Sequence, residues 1–71
     1  MDESIVKALS RNDLSEIEQA YYEALESDAN SFGLHWVLIG VLSRYGFRTN
    51  GTKEAEVLAG DIITCWYQLQ K

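Results

Sequence analysis

The stretch FGLHWVLIGVLSRYGF, residues 32–47, decides the fold that the sequence predicts. Six of its apolar side chains recur with the spacing of one helix face: Leu34, Val37, Leu38, Val41, Leu42 and Tyr45. Gly46 follows them and is well placed to end the helix in the left-handed conformation. Phe32, Trp36 and Ile39 form a second apolar face. Because a helix that is apolar on nearly every side is buried on more than one side, we expect this helix at the centre of the domain.

The part of the chain before this stretch predicts two helices. The first runs from Glu3 to about Ser10 and is too short to be stable alone. The second begins at Asp13 or Ser15, since each has a glutamate three residues later that completes a pattern resembling a capping box. It ends at residues 27–30. One apolar stripe marks its inner face: Leu14, Ile17, Tyr21, Ala24 and Leu25.

A loop at residues 47–52, with Asn50-Gly51 as a turn signal, leads to the last helix. This helix runs from about Lys53 to the C-terminus, with Thr52 as its N-cap. Its apolar stripe contains seven residues: Ala55, Leu58, Ala59, Ile62, Cys65, Trp66 and Leu69.

The chain contains no proline. Together with the helical spacing of apolar residues, this predicts an all-α fold in which residues 1–71 form one small bundle of three to four helices. We expect helices three and four to pack as an antiparallel pair, because the connection between them is short. Helix two would cover this pair, and the first helix would close one end.

The apolar surface exceeds what this bundle is expected to cover. A chain of this size buries only about 60% of its unfolded surface, and small domains usually need a further source of stability. Several apolar residues and neighbouring glycines lie outside the predicted stripes, and we expect them to form an oligomer interface: Phe32, Gly33, Trp36, Ile39, Gly40, Ile63 and Tyr67. A two-fold homodimer is the commonest assembly of this kind.

Charge is unevenly distributed along this chain, whose formal net charge is −5. Residues 12–28 contain acids and no Lys or Arg. Four polar residues follow one side of the second helix and are called the acidic edge: Glu16, Gln19, Glu23 and Glu26. Tyr22 points beside these acids, and aromatic residues are enriched at contact surfaces. We predict that these five residues bind a partner; the alternative is an ordinary solvated helix face.

A small basic cluster, Arg44, Arg48 and Lys53, surrounds the end of the third helix. These cations either offset the helix dipole or pair with the acidic helix of the same chain or of a partner subunit. An acidic chain is poorly suited to nucleic-acid phosphates, which require many Lys and Arg contacts. The last helix opens with Lys-Glu-Ala-Glu, which is unsuited to the major groove. We therefore predict no direct binding of nucleic acid.

One histidine and one cysteine limit the chemistry that the chain can perform. A structural zinc site takes four ligands, so neither a metal nor another cofactor is predicted. Cys65 lies in an apolar stripe, where free cysteine packs as a small hydrophobe. His35 and Cys65 are the one pair available for nucleophilic catalysis. A packing or interface role is the more common one for such a histidine, and we predict that the protein is not an enzyme.

These features favour a small acidic interaction protein, a regulator or inhibitor that binds another protein through the acidic edge; a basic protein that binds nucleic acid is one candidate partner. The alternative is a carrier or ligand-binding protein with an apolar pocket near His35 and Trp36. The acidic N-terminal residues do not resemble a secretory signal, and no apolar run reaches the roughly 18 residues of a membrane span. We therefore expect a cytoplasmic protein without membrane contact.

Overall fold

The computed structural model describes residues 3–26 and 32–70, with the backbone alone at residues 32 and 33. Four α-helices follow one another along the chain: α1 (Glu3–Ala8), α2 (Arg11–Glu26), α3 (Phe32–Arg44) and α4 (Thr52–Leu69). No strand occurs within the described ranges. The prediction of an all-α bundle is confirmed.

Ser10 is the N-cap of α2, directly before its first residue, Arg11. The Asp13 N–H donates to Ser10 Oγ at 3.1 Å, and the Ser10 N–H donates to Asp13 Oδ2 at 3.1 Å. This reciprocal pair is a capping box, with aspartate in the place of the usual glutamate. The prediction that α2 begins at Asp13 or Ser15 was wrong by about one turn, because the Ser-x-x-acid pattern lies earlier, at residues 10–13.

The end of α3 was predicted correctly. Gly46 has a φ of 90°, which is the left-handed conformation that glycine adopts without strain. The Gly46 N–H donates to the Ser43 carbonyl at 3.0 Å, and the Phe47 N–H donates to the Leu42 carbonyl at 2.9 Å. This is the Schellman pattern, and it directs the Phe47 side chain into the core next to the end of the helix.

The start of α4 differs from the prediction. Thr52 is the first residue of the helix, and Gly51 precedes it as the N-cap without a side-chain hydrogen bond. The Ala55 N–H donates to the Gly51 carbonyl at 3.0 Å, which fixes Gly51 as the cap. The Glu54 carboxylate accepts the Asn50 N–H at 3.4 Å, which ties the preceding loop to the first turn of α4.

Contacts between the helix ends establish the directions of α2, α3 and α4. Glu16, near the start of α2, pairs with Arg44 at the end of α3. Leu9, just before α2, accepts a hydrogen bond of 3.1 Å from Trp66 Nε1 near the end of α4. Because α2 runs opposite to both helices, α3 and α4 share one general direction.

The prediction that α3 and α4 form an antiparallel pair is therefore wrong. The connection at residues 45–51 runs back along α3, where it borders a groove together with Ile39 and Ser43. Seven extended residues reach about 23 Å, whereas α3 is about 20 Å long. The connection is thus long enough to return to the level at which α3 began, and α4 starts from there.

The core lies between α2, α3 and α4, each of which contacts the other two, while α1 packs on α4 alone. Among the side chains that the structure describes, it contains fifteen buried apolar ones: Val6, Leu9, Leu14, Ile17, Ala20, Ala24, Leu38, Val41, Leu42, Phe47, Ala55, Ala59, Ile62, Ile63 and Trp66. Three residues of the predicted stripes, Leu25, Leu34 and Val37, are instead largely exposed. In α3 the reason is that its apolar residues surround the helix, so their spacing does not show which side faces inward.

Candidate functional site

A groove of about 240 Å³ separates α2 from α3 and brings together much of the predicted acidic edge. One wall carries Glu16, Gln19 and Glu23 of α2, and the other carries Val37, Val41 and Arg44 of α3. Ala20, which is buried, lies between the walls. The groove therefore places carboxylates opposite apolar side chains.

Glu16 is held at one end of this α2–α3 groove by contacts within the chain. Its Oε1 accepts a charged hydrogen bond from Arg44 Nη2, and its Oε2 accepts the Tyr45 hydroxyl at 2.7 Å. The same hydroxyl lies 3.2 Å from Asp13 Oδ1. Of the two roles predicted for the basic cluster, Arg44 thus takes the pairing with the acidic helix.

These carboxylates hold the proton on Tyr45. The hydrogen bond to Glu16, followed by burial and the negative charge of Asp13, raises the pKa of Tyr45 to about 12. Asp13 is affected in the opposite direction, because the Ser10 backbone N–H at the helix cap lowers the pKa of its carboxyl. One end of the groove is therefore a connected set of hydrogen bonds between α2 and α3.

The rest of the acidic edge is open to solvent. Glu23 is exposed and accepts a hydrogen bond of 3.5 Å from Gln19 Nε2. Glu26, at the end of α2, and Tyr22 are exposed but do not line the groove. Tyr22 packs against Tyr21, with the ring centroids 5.3 Å apart. The structure thus joins three of the five predicted partner-binding residues and places the other two outside the groove.

The predicted oligomer interface does not form one surface in the described part of the chain. Trp36 is 65% exposed, and Gly40 is exposed with open space beside its Cα. Ile39, in contrast, packs against the core, and Ile63 is buried. The hydroxyl of Tyr67 donates to the carboxylate of Glu18 on α2 at 3.1 Å, away from Trp36.

The physical reason is the position of α4, which is the one helix that contacts α1, α2 and α3. A helix with three neighbours needs a wide apolar face, so Ile63 belongs to the core rather than to an interface. The Phe32 side chain and the surroundings of Gly33 lie outside what the structure describes. Val37, which is 52% exposed, adds to the outer side of α3 next to Trp36 and Gly40. Sequence reasoning placed Val37 in the core.

His35 connects the early turns of α3 and α4. Its Nε2 lies 2.6 Å from Glu56 Oε1, and the side chain is only 14% exposed. The other ring nitrogen, Nδ1, is buried without a hydrogen-bond partner. Cys65 is half-buried and packs against the core. The surroundings of Cys65 are those of a packing residue, whereas His35 forms a polar contact between two helices.

A second groove, of about 300 Å³, lies between α3 and the returning loop. Neither groove is bordered by His35 or Trp36, where the alternative prediction placed an apolar ligand pocket. Among residues 3–26 and 32–70, no three His, Cys, Asp or Glu side chains converge as a metal site. None of the helices α1–α4 combines the length and hydropathy that a membrane span requires.

Comparisons of the chain with protein-family models, with curated proteins and with solved structures give no match. Its function is therefore inferred from the α2–α3 groove and the charges around it.

Proposed function

We propose that this chain is a small acidic interaction protein that binds a basic protein partner through the acidic edge of α2. The observation that carries the proposal is the α2–α3 groove, in which Glu16, Gln19 and Glu23 stand opposite the exposed apolar side chain of Val37. Interfaces of moderate size combine apolar anchors with a polar rim in this way. The net charge of −5 adds attraction for a basic surface and speeds the encounter with it.

The protein would act by occupying its partner's basic surface, as a regulator or inhibitor, rather than by catalysis. A cytoplasmic setting agrees with a single cysteine, which leaves no pair for an internal disulfide. The homodimer expected from the sequence is not part of the proposal, because Ile63 is buried and Tyr67 bonds to Glu18.

The test is an affinity capture from lysate of the source organism with two charge-reversed variants as baits. The double variant Glu23→Lys, Glu26→Lys changes the open part of the acidic edge and leaves Glu16 with its partners. A matched variant, Glu54→Lys, Asp61→Lys, makes the same change in net charge on α4. We expect a basic protein that is captured by the wild-type chain and by the α4 variant but lost by the α2 variant at physiological salt. Equal capture by both variants would refute the proposal.

A further inference from the structure

Arg44 already occupies the acidic wall of the α2–α3 groove from within the chain. Its guanidinium bonds to Glu16, and the two side chains remain 63% and 40% exposed. An ion pair that is exposed to this degree contributes little to stability, because water screens it and both side chains lose freedom. This wall therefore binds a guanidinium, but its contact with Arg44 is weak.

A substantial apolar surface is left uncovered on α3, in the wall opposite the carboxylates and beside it. Val37, which lines the groove, is 52% exposed, and the adjacent Trp36, which lies outside the groove on the outer side of α3, is 65% exposed. Gly40, one turn later, leaves open space beside the helix. Exposed tryptophan next to a polar rim is the composition of a binding hot spot. α3 thus offers apolar anchors in the groove and beside it, and α2 offers carboxylates.

The negative charges of α2 indicate which kind of partner fits the α2–α3 groove. Between Glu16 and Glu26 the α2 helix has no Lys or Arg, and among the described residues Arg44 is the one cation that lines the groove. From Glu16 to Glu26 the helix rises by about 15 Å, which is close to three turns of a helix laid beside it. An amphipathic helix with arginines along one side of its apolar face matches both walls.

We infer that the α2–α3 groove binds an arginine-bearing amphipathic helix of the partner protein, and that Arg44 is an internal competitor that the partner's arginine displaces from Glu16. This inference rests on the proposed function and names the chemistry of the partner. The apolar side of the bound helix covers Trp36 and Val37, and its arginines reach Glu16 and Glu23. Arginine suits this wall better than lysine, because its planar fork donates two parallel hydrogen bonds to one carboxylate.

The probe is a synthetic helical peptide with leucines on one face and arginines beside them, labelled for fluorescence anisotropy. Two further peptides carry lysine or glutamate at every arginine position. We expect the arginine peptide to bind most tightly, the lysine peptide more weakly and the glutamate peptide not at all. Trp36 emission should shift to shorter wavelength on binding, and this signal should disappear in Trp36→Phe, since Trp66 is already buried.

The variant that distinguishes this inference is Arg44→Gln. Removal of the competitor should tighten the Kd of the arginine peptide about two- to fivefold, which corresponds to an exposed ion pair. Arg48→Gln is the matched control, because it removes the same charge from a residue that borders the other groove. Trp36→Ala should weaken binding about tenfold, whereas Val57→Ala, at an exposed apolar residue of α4, should not change it. Circular dichroism establishes that each variant is folded.

Two results would overturn the inference while the proposed function stands. In one, Arg44→Gln leaves the Kd unchanged or weakens it, although a basic partner is still captured through Glu23 and Glu26. In the other, sedimentation shows a dimer that Trp36→Ala dissociates, so that a second copy covers α3. Conversely, tight peptide binding combined with a captured partner that ignores the Glu23→Lys, Glu26→Lys change would refute the proposed function alone.

Discussion

The hydroxyl of Tyr45, just beyond α3, lies 2.7 Å from a carboxylate oxygen of Glu16 on α2. This hydrogen bond connects the end of α3 to α2 at the rim of the groove. Arg44 binds the other oxygen of the same carboxylate. The hydrogen bond raises the pKa of Tyr45, and the Ser10 cap lowers the pKa of Asp13, so both can be tested without knowing the partner.

Tyr45 should ionise later than the other tyrosines, since its pKa is raised to about 12. A tyrosine whose folded pKa is raised contributes stability that is complete below the unfolded pKa of about 10 and is lost as the pH rises toward 12. Ultraviolet titration of the phenolates should show a late step that is missing in Tyr45→Phe. A titration curve of the same shape in both proteins would contradict this.

Ser10→Ala should lower the free energy of unfolding by about 1 kcal/mol, because α2 loses its N-cap. Ser15→Ala is the control, since Ser15 is exposed within α2 and alanine is the better helix former. Urea denaturation of the two variants measures the difference. If α2 instead began at Ser15, the two variants would exchange their behaviour.

Asp13 should contribute stability that depends on acid pH. Because the Ser10 N–H lowers the folded pKa of Asp13, this stability is present above the unfolded pKa of about 3.9 and is lost as the pH falls through the folded pKa. Asp13→Asn removes the titrating carboxylate. Its unfolding free energy should fall less steeply than that of the wild-type chain between pH 5 and pH 2, which thermal melts across this range would reveal.

Two glycines of the third helical region should respond to alanine with opposite signs. Gly46→Ala should destabilise by about 1 kcal/mol or more, because its φ of 90° is strained for a residue with a side chain. Gly40→Ala should stabilise by up to about 1 kcal/mol, since Gly40 lies within α3 and an added Cβ meets no atom within 4 Å. Melting temperatures of both variants test the pair together.

Ile63→Ala should cost about 2–5 kcal/mol, as expected for a large side chain removed from a core. Val57→Ala, on the exposed side of the same helix, should change stability by less than about 0.5 kcal/mol. If Ile63 were an interface residue, its replacement would change self-association and leave the monomer's stability nearly intact. Denaturation at several protein concentrations separates these results.

The helices were predictable because their apolar spacing and the Gly46 stop are local signals. The side of α3 that faces the core was not predictable. Val37 and Leu38 are both apolar, and only the positions of α2 and α4 decide which of them is buried. The Ser10 cap carried a signal in residues 10–13, but two later serine- or aspartate-led patterns competed with it.

The direction of α4 depends on the path of residues 45–51, whose length permits either orientation. The acidic edge was predictable as a surface, because Glu16, Gln19 and Glu23 share one side of α2. The apolar wall that α3 contributes to the groove was not predictable, since it depends on which side of α3 turns away from the core. The pairing of Arg44 with Glu16 connects residues 28 positions apart, and spacing along one helix does not reveal such contacts.

The bond from Trp66 Nε1 to the Leu9 carbonyl spans 57 positions, and α1 touches α4 alone. Within residues 3–26 and 32–70, α1 therefore has no helix to dock on until α4 is in place. We therefore expect α1 to dock after α4 during folding, and α1 and the final turn of α4 to open as one unit in the native protein. Amide hydrogens in these two segments, although far apart in the chain, would then exchange with solvent at matching rates.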